Sequence, residues 1–130
     1  MNILILGLGY SAGFFARAAL AQATGLSAQA VTNITRELIA AGLLDAGGER
    51  KRGKVGQPLL PLALAPDGAL SLGLKVGRRM AELVLVDFQG HIRQMRTHPY
   101  GFPDPDDIRD FVDQATTAIL ADLPGALRQR

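Results

Sequence analysis

The apolar positions change their spacing several times along the chain, and each spacing predicts a different element. Asn2 to Leu6 is a short, largely apolar run, the pattern of a short strand buried on both faces. From Arg17 the period becomes helical: Ala18, Leu20, Ala21 and Ala23 form a short alanine-rich stretch of good helix propensity. Thr24-Gly25-Leu26 breaks it, with Gly25 suited to the left-handed position after a helix. Ser27 then stands where a side-chain oxygen accepts a free backbone N–H and opens a second helix. Val31, Ile34, Leu38 and Ala41 make its apolar stripe, and Gly42 closes it. Further on, the segments 69–76, 80–88 and 92–97 read as strands, the last two joined by Phe88-Gln89-Gly90-His91. Pro103-Asp104-Pro105-Asp106-Asp107 opens a last helix, its acids suited to the positive end of the helix dipole. Ile108, Phe111, Val112, Ala115, Ile119 and Leu120 form its apolar face.

The turn after the first strand, Gly7-Leu8-Gly9-Tyr10-Ser11-Ala12, fits Gly-x-Gly-x-x-Ala. In that arrangement the first glycine makes a tight turn and the second lets backbone approach a pyrophosphate. The small third residue lets the following helix pack on the strand. The stretch resembles the start of nicotinamide-dependent reductases and epimerases, which implies cofactor binding at Gly7, Gly9 and Ala12. The resemblance covers residues 1–16 only. A dinucleotide site also needs a second parallel strand ending in an acid roughly 20 residues beyond the glycines, and the chain has no Asp or Glu before Glu37. Residues 1–16 therefore read as a Rossmann-like strand-turn remnant, and no cofactor is expected.

Helix, short glycine turn, helix is the helix-turn-helix plan. The second helix leaves Ala28, Gln29, Thr32, Asn33 and Arg36 off its apolar stripe. Gln and Asn can pair with adenine edges, Arg with guanine, and Thr with a methyl group or a phosphate. The next segment, Leu43 to Leu64, runs from an apolar start through a basic glycine-rich tip to an apolar return, which predicts a hairpin with a charged end. Arg50, Lys51, Arg52 and Lys54 supply four cations there, suited to phosphates or a narrow minor groove.

Charge and composition sharpen this picture. Residues 1–65 hold six basic and three acidic side chains, a net +3, whereas residues 66–130 hold eight and nine, a net −1. A basic spot in the first half points to a polyanionic partner. With 48% apolar residues the chain can build a core, and with no cysteine it has neither disulfides nor thiolate metal sites. His91 and His98 show no ligand spacing, so no metal site is expected. No window reaches the roughly 20 apolar residues of a spanning helix, and the start lacks the basic region of a signal peptide. A soluble cytoplasmic protein without membrane contact is the expectation.

Three stretches carry a second resemblance: ARAALAQATGLSAQAVTNITRELIAAGLL (16–44), RKRGKVGQP (50–58) and DGALSLGLKVGRRMAELVLVDFQGHI (67–92). In this order they resemble the N-terminal part of ROK-family transcription repressors, winged-helix proteins joined to a sugar-kinase-like domain. The implied fold is α+β: a winged helix-turn-helix at 17–65, then an incomplete actin/hexokinase-like β-β-β-α segment at 66–130. The resemblance implies a repressor of sugar-utilisation genes that binds double-stranded DNA. Its recognition helix would run over 27–41, with Ser27, Ala28, Gln29, Thr32, Asn33 and Arg36 facing the groove. Arg50, Lys51, Arg52 and Lys54 would form the wing. The family's first helix has its place taken by the glycine-turn segment. Its Asp-x-Gly-Gly-Thr phosphate loop stands here as Lys75-Val76-Gly77-Arg78-Arg79, so no enzyme activity is expected. The family's catalytic aspartate and its sugar-contacting and zinc-binding residues would fall past residue 130, which puts the inducer pocket outside this stretch and leaves a non-functional truncated sugar-kinase-like fragment, or a nicotinamide-binding oxidoreductase or epimerase fragment through Gly7 and Gly9, as the alternatives. An incomplete sheet has an unpaired edge, at Ile92–Thr97 or at the strand whose partner is absent, which predicts a homodimer or aggregate.

Overall fold

The computed structural model describes residues 14–47 and 61–128. The chain divides into two compact units between Gly68 and Ala69.

The first unit begins with strand β1 (Phe14–Phe15), followed by helix α1 (Arg17–Thr24) and helix α2 (Ala28–Ala40). Strand β2 (Leu44–Ala46) and strand β3 (Leu62–Leu64) complete it. Leucine and alanine without a β-branched run favour α1, and Gly25 stops it at φ 69°. The Ser27 hydroxyl accepts the Ala30 N–H at 3.2 Å and starts α2. Gly42, at φ 72°, ends α2. The N–H of Gly42 reaches the Ile39 carbonyl and the N–H of Leu43 the Leu38 carbonyl, both at 2.9 Å. That pair of bonds satisfies the last carbonyls of the helix and needs the left-handed conformation that glycine adopts without strain.

β3 lies between β1 and β2, antiparallel to both, with Phe15 opposite Leu62 and Leu44 opposite Leu64. Leu20, Val31, Leu38, Leu44, Leu62 and Leu64 are fully or nearly fully buried and form the core of this unit.

Two expectations change here. Phe14 and Phe15 are extended, so the helix that a dinucleotide turn places directly after its glycines does not run through them; α1 starts at Arg17. The buried stripe of α2 is Val31, Thr35 and Leu38; Ile34 is half-buried and Ala41 exposed. The helix is turned so that Thr35, rather than Ala41, faces the core. A threonine is admitted there because its hydroxyl is satisfied, donating to the Val31 carbonyl at 2.8 Å.

The second unit is a three-stranded antiparallel sheet covered by one helix. Strand β4 (Ser71–Val76) pairs with β5 (Met80–Val86), which pairs with β6 (Ile92–Pro99). In β5, Ala81, Leu83 and Leu85 are buried while the residues between them are half-buried, the alternation of a strand with one face on a core. Helix α3 (Pro105–Asp122) packs on β5 and β6. Asp104 starts it by accepting the N–H groups of Asp106 and Asp107, with Pro105 in the first turn. Leu83, Leu85, Ala115, Ile119 and Leu123 form the core, with Leu70 and Phe111 packed against it. Leu120, expected on the apolar face, is exposed, and Leu123 beyond the helix end takes its place.

On the side of β5 that faces α3, Leu72, Leu74 and Val76 of β4 lie opposite Leu85, Leu83 and Ala81. They are 42%, 46% and 49% exposed. Both turns of the sheet are pinned. Gly77 donates to the Met80 carbonyl, and a side chain at Gly77 would meet that oxygen at 3.0 Å. The Tyr100 hydroxyl donates to the Gly77 carbonyl at 2.7 Å. In the second turn, Gly90 takes φ 87°.

Candidate nucleic-acid interface

The face of α2 opposite its buried stripe carries Gln29, Asn33 and Arg36, all exposed, with Ser27 and Ala28 exposed at its start. Thr32 is half-buried, and its hydroxyl donates to the Ala28 carbonyl at 2.9 Å. Its position next to Thr35 on the helix surface explains this: the turn of α2 that buries Thr35 draws Thr32 towards the core. Glu37, also exposed, stands four residues after Asn33 and adds an acid to the presented face.

One contact organises this surface. Gln29 Nε2 donates to Asn33 Oδ1 at 3.1 Å, across one turn of helix. The two amides therefore form a joined pair on the exposed side of α2.

A second contact, which the spacing of the chain does not predict, joins α1 to α2. Arg17, half-buried at the start of α1, donates through Nε to the Thr35 hydroxyl at 3.1 Å. Because the same hydroxyl donates to Val31, a chain of hydrogen bonds runs from α1 into the middle of α2. The sequence signal for it was a β-branched polar residue placed between Val31 and Leu38, within one helical turn of each.

The basic tip lies outside the described residues, as do its four cations Arg50, Lys51, Arg52 and Lys54. The strands that flank it, β2 and β3, are paired antiparallel in the register Asp45 opposite Ala63. Gly7, Gly9 and Ala12 also lie outside the described residues.

In the second unit, the segment 75–79, expected at the place of a phosphate loop, carries cations with structural or solvent contacts. Lys75 Nζ lies 2.8 Å from Glu82 on the neighbouring strand. The hydrogen bond and charge of Glu82 raise the lysine pKa above its ordinary value. Arg78 and Arg79 are exposed in the turn. Asp87, buried at the other turn, accepts the N–H groups of Gln89 and His91, both at 2.9 Å, and faces Arg93 at 3.3 Å. Burial pushes its carboxyl up, but the His91 N–H, the Arg93 guanidinium and the Gln89 N–H outweigh that and hold it below the ordinary aspartate value. No cluster of three metal-ligating side chains occurs among the described residues. No helix there is long and apolar enough to cross a membrane.

No protein-family model matches the sequence, and no curated protein matches it. The fold is similar to the crystal structure of a ROK family transcriptional regulator, a homolog of the E. coli Mlc protein. The similarity has a TM-score of 0.51 at 22% sequence identity and covers 80% of this chain. The chain spans 28% of the length of that protein. At this identity the likeness establishes a shared mixed helix-and-sheet fold.

Proposed function

We propose that this chain is a sequence-specific DNA-binding transcriptional regulator related to the ROK repressors, acting without catalysis. In this reading residues 17–65 are a winged helix-turn-helix. α2, opened by Ser27, enters the major groove with Ala28, Gln29, Thr32, Asn33 and Arg36, and the tip 50–58 reaches backbone phosphates or the minor groove. Residues 66–130 form the start of a sugar-kinase-like domain, and the genes controlled serve sugar use in the cytoplasm.

The observation that carries the reading is the exposed Gln29–Asn33–Arg36 face of α2, held by an ordered turn and followed by an antiparallel strand pair whose connection carries four cations. The shared fold with a ROK family transcriptional regulator supports it. A Rossmann-type site finds no support in Phe14–Phe15, which pair as strand.

The test is binding to random-sequence duplex across a salt series. Each phosphate neutralised by a cation adds about 0.9 to the steepness of log K against log salt. Changing Arg50, Lys51, Arg52 and Lys54 to alanine is expected to flatten the slope by about 3 to 4. A salt-independent signal, or an unchanged slope in the variant, would remove the tip from the interface.

A further inference from the structure

The Gln29–Asn33 hydrogen bond has a consequence for base recognition, on the reading that α2 enters a major groove. A carboxamide has two N–H donors and an oxygen with two acceptor sites. Gln29 uses one donor on Asn33 Oδ1, at 3.1 Å. Its second N–H and its Oε1 remain, and where the bond to Asn33 uses the N–H anti to Oε1, the N–H left over lies on the same edge of the amide as that oxygen. This donor–acceptor pair matches adenine in the major groove, where N7 accepts and the N6 amino group donates. A free glutamine side chain samples many rotamers, and ordering one on binding costs free energy. The bond to Asn33 restricts Gln29 before the duplex arrives. Asn33, with one turn of helix between it and Gln29, is the group that does the restricting.

We propose that Gln29 reads an adenine in an A·T pair and that Asn33 is a positioning residue that acts on this preference through Gln29. The two side chains then form one recognition unit instead of two independent contacts. Gln29 and Asn33 are both exposed, and neither contributes to the core of the unit. Replacing either therefore leaves the fold in place, which circular dichroism of each variant checks.

The experiment uses the full chain. A preferred duplex is selected from a random pool, and every base pair in it is then varied while affinity is measured by anisotropy. One A·T pair is expected to be preferred by about 5- to 150-fold over its alternatives, the range of a good paired contact. Gln29→Ala should erase that preference at this pair alone. Asn33→Ala should weaken it at the same pair, and the double variant should match Gln29→Ala. Replacing the adenine by 7-deazaadenine, which lacks the N7 acceptor, should weaken binding of the unchanged protein and leave Gln29→Ala unaffected. If Gln29→Ala keeps the preference, or if the two substitutions relax different base pairs additively, the inference is wrong while DNA binding stands. Binding without any base preference has the same meaning. Failure to bind any duplex at low salt would overturn the DNA-binding reading and this inference with it.

Discussion

Asp87 shows how a single side chain can organise a turn. It bonds the N–H groups of Gln89 and His91 and pairs with Arg93, so the second hairpin closes around one buried carboxylate. Its folded pKa lies below the unfolded value of about 3.9. The unfolded chain therefore takes up the proton first as pH falls. The stabilisation is complete above the unfolded value and is lost as pH drops through the folded one. Thermal melts from about pH 7 to about pH 2 should show this loss, and Asp87→Asn should remove that part of the acid dependence. A variant with the same acid limb as the parent would show that Asp87 contributes nothing to it. Ser27 and Gly25 had explicit local signals, and both occupy the positions those signals imply. The Arg17–Thr35 bond had none of comparable strength, because it joins residues 18 apart whose approach depends on how the two helices cross.

At the scale of elements, the identities of α1, α2, α3 and β4 to β6 follow from periodicity, with errors of rotation and of ends, whereas the strand Phe14–Phe15 had no such signal. Val31 and Leu38 are buried as the spacing predicts, yet the third core position of α2 is Thr35. Periodicity locates a stripe to within part of a turn, and the neighbouring surface chooses its centre. In α3 the same effect leaves Leu120 exposed and draws in Leu123. The strand 69–76 begins two residues late, at Ser71, and the strand from Ile92 runs on to Pro99 because Met80 supplies its partner. The α3 interface rests on Ile119, which is fully buried against Leu83 and Leu85. Ile119→Ala is expected to cost about 2–5 kcal/mol, the range for truncating a buried aliphatic side chain. Urea melts followed by circular dichroism measure it. A cost below about 1 kcal/mol would mean that α3 contributes little to the stability of the sheet.

At the scale of the whole molecule, β4 is an edge strand of the second sheet among the described residues. Gly77 is bonded to Met80, so by the alternation of an antiparallel pair Leu72, Leu74 and Val76 direct their backbone groups away from β5. Their side chains are also about half exposed on the α3 side. An edge of this kind accepts an added strand, and a second copy pairing along it is expected to run antiparallel, centred on Leu74. That register sets Leu72 opposite Val76 of the other copy and Lys75 opposite Gly73. Centring on Lys75 instead would oppose two cations and is disfavoured. Light scattering should report a dimer at micromolar concentration, and Leu74→Lys should return it to a monomer. A monomer at all concentrations would refute the pairing.

Among the described residues, the order along the chain was enough for much that is local: the stops at Gly25 and Gly42, the starts at Ser27 and Asp104, the alternation of β5, and Gln29, Asn33 and Arg36 on the outer face of α2. Each depends on contacts within a few residues, so composition and spacing suffice. Folding in three dimensions settled the rest: which side of α2 is buried, that Phe14–Phe15 joins β3 as a strand, that Arg17 reaches Thr35, and that Leu72, Leu74 and Val76 of β4 stay about half exposed. These outcomes depend on distant segments competing for the same apolar surface, and no spacing along the chain encodes which of them wins.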